Sequence, residues 1–323
     1  MRVLVTGGSG IVGSYLRRVL APAHLLTCFS RTAPAEPWDA WIGGDLMDAD
    51  RLRRATAGHD AVIHLAAVPG PGRADPADLL TLNVIGTVNV LEAAVACGVD
   101  RVILASSAAA TGFSFQTHDI SPRYLPIDEA HPDAPQDEYG LSKLLAEAAC
   151  KRYTDRHGLP TICLRINHNW CVDTAGADVA VRCGWAGRAD MTRQRLWDER
   201  YRRAIREPDG AWPTPGPPPP RNLLWAVTDL RDAAGAFGLA LGPTGPRQVV
   251  FLPAGPHTCR LTPPPVLLHR QFPNGARRAP LTGFESPFSS AKAAELLGYR
   301  PRSGWRGSDF DAWLQAQPEE PNA

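Results

Sequence analysis

Thr6-Gly7-Gly8-Ser9-Gly10-Ile11-Val12-Gly13 stands between Met-Arg-Val-Leu-Val-Thr at 1–6 and Ser14-Tyr15-Leu16-Arg17-Arg18-Val19-Leu20, which has helical periodicity. The apolar, β-branched run suits a buried parallel strand. Strand, glycine-rich turn and helix, in that order, form the setting in which a glycine pattern points to a dinucleotide. Gly7 permits the tight turn, Gly10 lets a pyrophosphate approach the backbone, and Gly13 allows the helix to pack closely on the sheet. The anion would rest beside Ile11 and Val12, on the N–H groups of the first helical turn.

Outward from this stretch, strand-like apolar runs recur at 2–6, 24–29, 61–66, 101–106 and 160–166, with helical stretches at 11–20, 76–97 and 138–157 between them. Such alternation predicts an α/β fold: a Rossmann, doubly wound parallel sheet covered on both faces, with a smaller C-terminal substrate lobe. The expected division is a dinucleotide-binding domain over residues 1–166 and a mainly substrate-binding lobe over 167–323, with 223–241 returning to the main sheet as a strand–helix unit. Gly98 reads as a helix stop. Residues 167–222 are rich in Trp and Arg and end in a proline run from 212 onward, which is expected to be loop. Part of the segment 167–221 is expected to close as a flap over the site. The charged stretch 189–206 reads as a solvated helix.

Glu138-Tyr139-Gly140-Leu141-Ser142-Lys143 supplies the chemistry. Residues four apart on a helix share a face, about 5–6 Å apart at Cβ, and an ammonium beside a phenol is expected to make it more acidic. A tyrosine so tuned passes a proton to or from an alcohol or ketone near neutral pH. The chain contains only three Lys and six Tyr, which makes this spacing informative.

The chain resembles the extended branch of the short-chain dehydrogenase/reductase superfamily, the epimerase/dehydratase-like group. The resemblance rests on TGGSGIVG at 6–13, Gly44-Asp45-Leu46, His64-Leu65-Ala66-Ala67, Asn83 within LNVIGTVNVLEAA, Ala105-Ser106-Ser107, and Tyr139 to Lys143. Within that branch, uronate dehydrogenases are the most similar. The resemblance implies Ser107, Tyr139 and Lys143 as catalytic residues. Ser107 lies five residues before Gly112 and would hold the substrate oxygen, and Lys143 would also bind the nicotinamide ribose. It places Asp45 with Leu46 at the adenine, and Leu65, Ala66 and Ala67 where the backbone passes close to the cofactor. Tyr139, Lys143 and Ile166 fall on its nicotinamide side, and Ser107, Ala108, Asn167 and His168 on the substrate. His64 reads as a packed strand residue and Asn83 as a stabiliser of the central sheet. A homodimer through helices 76–97 and 138–157 is the arrangement this branch often uses.

Ser30 stands where such a site usually carries an acid to bind the ribose 2′-hydroxyl, and Arg31 follows it. A guanidinium there favours NADP(H), with NAD(H) as the alternative. The alanines at 108–110 offer no acid, which argues against a dehydratase. The sugar-nucleotide enzymes of the branch carry Arg-Pro-x-Asn-Val-Tyr-Gly-Pro after the sixth strand. Here the sequence is Arg165-Ile166-Asn167-His168-Asn169-Trp170, which keeps an Asn but lacks the Pro, Tyr and Gly. The expected activity is therefore interconversion of a secondary alcohol or lactol and its carbonyl on a small polar or specialised-metabolite substrate. An epimerase with retained cofactor and a non-catalytic dinucleotide-sensing protein are the rivals.

The net charge of +1 gives no reason to expect nucleic acid or an anionic membrane as partner. The seven cysteines are scattered without metal-type pairs, so no metal site is expected and reduced, packed thiols in a cytoplasmic protein are. No apolar run near about 18 residues and no leader are read from the sequence.

Overall fold

The computed structural model of the protein describes residues 1–302 except 119, 174–179, 184–223, 225, 243–247, 257, 259–263, 273–275 and 283–284. The solvated helix at 189–206, the proline run and most of the flap segment lie outside the described residues.

Seven parallel strands form the main sheet: β1 (Arg2–Thr6), β2 (Leu25–Ser30), β3 (Ala40–Gly43), β4 (Ala61–His64), β5 (Arg101–Ser107), β6 (Thr161–Ile166) and β10 (Gln248–Phe251). Their order is β10-β6-β5-β4-β1-β2-β3, so the winding reverses beside β1. A crevice opens outside the carboxyl ends of the strands where the winding reverses, and the glycine loop leaves β1 at this point. The expected α/β architecture is the one observed.

Each face of the sheet has its own core. On one, Val3, Val5, Ile63, Ile103 and Leu164 pack against Leu16 and Leu20 of α1 (Ile11–Leu20) and Phe237 of α6 (Leu230–Ala240). On the other, Leu4, Val62, Val102 and Cys163 meet Leu52 of α2 (Ala49–Thr56), Leu91 of α4 (Gly86–Cys97) and Cys150 of α5 (Glu138–His157). α3 (Pro76–Leu80) and a π-helical turn, Thr81–Ile85, run directly into α4. The combined stretch Pro76–Cys97 is long and apolar enough to cross a membrane by length and composition alone, though Asp78, Asn83, Asn89 and Glu92 interrupt it. Its inward residues Leu79, Val90, Leu91 and Ala94 are buried in the protein itself.

The returning strand–helix unit at 223–241 divides differently from the expectation. β9 (Val227–Asp229) pairs in parallel with β7 (His168–Asp173), which pairs antiparallel with β8 (Ala180–Cys183) to make a separate three-stranded sheet. Only α6 returns to the main sheet, against α1. β9 has no length to do more, because Asp229 already caps α6 by accepting from Arg231 N at 2.8 Å. The edge next to β6 is taken by β10 instead. A third core, including Phe113, Leu125, Ile127, Leu252 and Phe288, joins the segment after β5 to the C-terminal part of the chain.

Candidate active site

β1 delivers Thr6 to the loop, and Gly7 turns it at φ 72°, with its N–H donating to Phe29 O at 2.8 Å. A Cβ on Gly7 would stand 2.6 Å from Ala66 N, so the two loops can meet only through a glycine. A Cβ on Gly13 would fall on the Gly8 carbonyl. The close approach that Gly13 permits is therefore to the loop backbone rather than to the sheet. Gly10 caps α1 without a side-chain hydrogen bond, and no acid stands in the first turn. The positive end of the helix is left facing the loop.

A cavity of ≈ 510 Å³ runs from this loop to the ends of β5 and β6. Every residue expected at the cofactor, the substrate or the catalytic centre borders it except Ala108. Ala108 is fully buried among Phe113, Leu125 and Ile127, because the 3₁₀ turn Ala108–Thr111 rotates it away, and Ala109 faces the cavity in its place.

At the loop end, the Ser30 hydroxyl is committed, donating to Thr32 O at 2.7 Å and accepting from Trp41 Nε1 at 3.2 Å. Arg31 is exposed on the rim. Asp45 Oδ1 accepts from Met47 N at 3.0 Å, which orders the turn beside Leu46. Leu65 N donates to Thr6 O at 3.0 Å and holds Leu65-Ala66-Ala67 against the glycine loop. His64 is a packed strand residue, clamped between Thr6 Oγ1 at 2.7 Å and Thr87 Oγ1 at 3.0 Å. Burial, with Lys143 nearby, pushes its pKa down to about 3.

Asn83 corrects its expectation. Its amide accepts from Val68 N at 2.7 Å and donates to Val68 O at 3.1 Å and Ser142 Oγ at 2.9 Å. Ser142 in turn donates to Tyr139 O at 2.7 Å. Asn83 thus ties the loop after β4 to α5, rather than stabilising the sheet.

At the other end, Ser107, Tyr139 and Lys143 converge. Asp137 starts α5 by accepting from Gly140 N at 2.8 Å, and this fixes where Tyr139 points. The Ser107 hydroxyl accepts from Ala109 N at 3.1 Å and faces the Tyr139 phenol closely enough to favour its charged form. Lys143 Nζ donates to Ala105 O at 2.8 Å and lies 5.6 Å from the centroid of the Tyr139 ring. The expected acidification of Tyr139 by Lys143 is overridden. Desolvation pushes the phenol up to about 12 despite Ser107, with the Asp137 charge adding to the rise. Burial pushes Lys143 down to about 8, against the charge of Glu147. In so confined a site the cost of charging each group exceeds the benefit of the other's proximity.

Arg165 of β6 fastens this end. Its guanidinium donates to Glu147 Oε1 and Oε2 at 2.8 and 2.7 Å and to both Asp133 oxygens at 2.7 Å. Glu147 Oε1 also accepts from Ser106 Oγ at 2.5 Å. Sequence reasoning passed over several wall residues, Ser114, Phe115 and Asn169 among them. Phe115 meets Tyr139 edge-on, with centroids 6.1 Å apart, and holds φ 49°. Neither its strain nor its position is signalled by local sequence.

The crossover, the glycine cradle and the Tyr–Lys pair define the class, a dinucleotide-dependent enzyme of the short-chain dehydrogenase/reductase type. Residues 3–172 match the NAD dependent epimerase/dehydratase family, and the chain belongs to that family. An L-arabinose 1-dehydrogenase (NAD(P)(+)) of Haloferax volcanii is 35% identical over 228 residues, which cover 67% of this chain and 78% of that one. A uronate dehydrogenase of Pseudomonas syringae pv. tomato is 34% identical over 173 residues, 52% of this chain and 60% of that one. Among solved structures, a short-chain dehydrogenase/reductase superfamily protein from Agrobacterium tumefaciens with bound NAD superposes with a TM-score of 0.67 at 23% identity, covering 98% of this chain and 95% of that one. That likeness is one of fold.

Two outcomes test the site. Gly13→Val is expected to abolish dinucleotide binding in a fluorescence titration, and unchanged affinity would show that the anion lies elsewhere. Arg165→Ala leaves two carboxylates without their partner and is expected to cost about 3 kcal/mol in urea denaturation. A loss below about 0.5 kcal/mol would mean that the network contributes little to the fold.

Proposed function

We propose that the protein is an NADP(H)-dependent oxidoreductase that interconverts a secondary alcohol or lactol and its carbonyl on a small, sugar-like substrate. The observation that carries this reading is the meeting of Ser107, Tyr139 and Lys143 at one end of a cavity whose other end is the glycine cradle. The names of the relatives support a sugar, and the arabinose enzyme supports a lactol carbon.

The cradle fits a nicotinamide dinucleotide. Gly7 and Gly13 leave no room for side chains, and the first turn of α1 presents its positive end. Gly10, Ile11 and Val12 would hold the pyrophosphate, Asp45 and Leu46 the adenine, and Leu65, Ala66, Ala67 and Ile166 the nicotinamide half. Arg31, exposed beside Ser30, supports NADP(H) over NAD(H), because a guanidinium pairs with a 2′-phosphate. When bound, the dinucleotide supplies or accepts the hydride.

Ser107 holds the substrate oxygen. Tyr139, raised to about 12, carries its proton at neutral pH and stands ready to deliver it to the forming alkoxide in carbonyl reduction. Oxidation requires the same group as phenolate. The Ser107 hydroxyl stabilises that charge, and Lys143 attracts it from beside the ring. Lys143 Nζ, anchored on Ala105 O, has donors left for a ribose hydroxyl.

The same reading keeps a cytoplasmic homodimer through Pro76–Cys97 and α5. Ile85, Leu141 and Leu145 on these helices are 46%, 40% and 42% exposed. Cys28, Cys97, Cys150 and Cys163 are free thiols, as a reducing compartment requires.

Following nicotinamide absorbance with free sugars, uronates and cyclic ketones, with either cofactor, tests the reaction. Epimerised product without net absorbance change would replace it with an epimerase. Tyr139→Phe is expected to lower turnover by about 10²–10⁴-fold and leave dinucleotide affinity nearly unchanged. Wild-type turnover in that variant would end the mechanism. Arg31→Ala is expected to weaken NADPH by about 1.5–3 kcal/mol in equilibrium titration and hardly affect NADH. Equal effects on both would remove Arg31 from cofactor selection.

A further inference from the structure

Asn167 is 5% exposed, and both ends of its amide, Oδ1 and Nδ2, are buried without a hydrogen-bond partner among the described residues. Asn169 Oδ1 is in the same condition. Both residues line the cavity that Ser107 and Tyr139 border. They follow β6 two positions apart on extended chain, a spacing that turns side chains to one side. Buried polar atoms are nearly always paired, and an unpaired one beside a cavity calls for an explanation, of which a bound ligand is one. Three such atoms around one short stretch specify what that ligand must bring.

We propose that Asn167 and Asn169 form a hydroxyl-reading subsite, and that the substrate presents to it an uncharged, polyhydroxylated ring face: a neutral aldose rather than a sugar acid or a phosphorylated sugar. This deepens the oxidoreductase reading above and rests on it. The argument is one of hydrogen-bond complementarity. Two open acceptors, Asn167 Oδ1 and Asn169 Oδ1, need donors, while Asn167 Nδ2 needs an acceptor. An ionised carboxylate or phosphate only accepts. It would satisfy Nδ2 and set its charge against two carbonyl oxygens. A hydroxyl both donates and accepts, so two neighbouring hydroxyls complete all three atoms. With the Asn169 amide as it stands, exchanging the ends of the Asn167 amide leaves the requirement unchanged, since both of its ends are open. Phe115 adds an apolar wall edge-on to Tyr139, suited to the C–H face of a sugar ring.

The test is competition and kinetics on the dinucleotide-loaded protein. Matched probes are free aldoses, the corresponding uronates, the sugar phosphates and single-deoxy aldoses. Neutral aldoses are expected to exceed uronates and phosphates by about tenfold or more in kcat/KM, and at least one deoxy analogue to lose by a similar factor, as when a site built for a hydroxyl meets its absence. Asn167→Leu and, independently, Asn169→Leu are expected to raise KM for the aldose several-fold with a smaller change in kcat. Asn167→Asp keeps the acceptor and is expected to retain more aldose affinity than the leucine variant. A uronate or sugar phosphate preferred over its aldose overturns the proposal, as does unchanged aldose KM in both leucine variants.

Calorimetric binding of the same probes to loaded Tyr139→Phe separates this outcome from failure of the oxidoreductase reading. Aldose binding without turnover in the wild type would sink the reaction and keep the subsite. Turnover of substrates that bypass the two amides would do the reverse.

Discussion

Arg165 is the fastening on which the catalytic end depends. One guanidinium, 4% exposed, holds Glu147 on α5 and Asp133 in the segment before that helix, while Glu147 also takes the Ser106 hydroxyl from β5. Two strands, a helix and its lead-in are thereby joined through charges taken out of water. Such burial is costly, and the return comes only when nearly every donor and acceptor is satisfied, as it is here. Ser107 follows Ser106, Lys143 lies one turn before Glu147, and Tyr139 one turn before Lys143. The network thus ties together the elements that carry the three groups meeting in the cavity.

The electrostatics of that end follow from the same enclosure. Lys143 falls to about 8 and Tyr139 rises to about 12, so burial moves the two groups in opposite directions along the pH scale. Both shifts disfavour the charged form. Glu147 resists the first and Ser107 the second. The network that positions the site therefore also moderates its charge.

The dinucleotide half was legible because its constraints are local. A turn that only glycine can make, a strand before it and a helix after it are all written in consecutive residues. Tyr139 and Lys143 were legible for the same reason, being one helical turn apart. What could not be read depends on distant chain. β3 has an exposed Trp41 and no apolar run, and β10 joins β6 from more than eighty residues further along the chain. The inward turn of Ala108 is decided by a core completed more than a hundred residues later, by Leu252 and Phe288. The pKa of Tyr139 depends on enclosure, which the spacing of two residues does not report. Ser114, Phe115 and Asn169 reach the cavity through the path of the backbone and carry no motif.

The π-helical turn at Thr81–Ile85 sets Asn83 where one amide can join the loop after β4 to α5. A π turn holds one residue more than the α-helical turn it interrupts. Excising a residue here would absorb the excess and restore regular helix, leaving Gly86–Cys97 close to its present register against the core beside β4 and β5. The Asn83 amide would lose its place between the loop after β4 and α5. The extra residue therefore serves the joint rather than the packing of the helix.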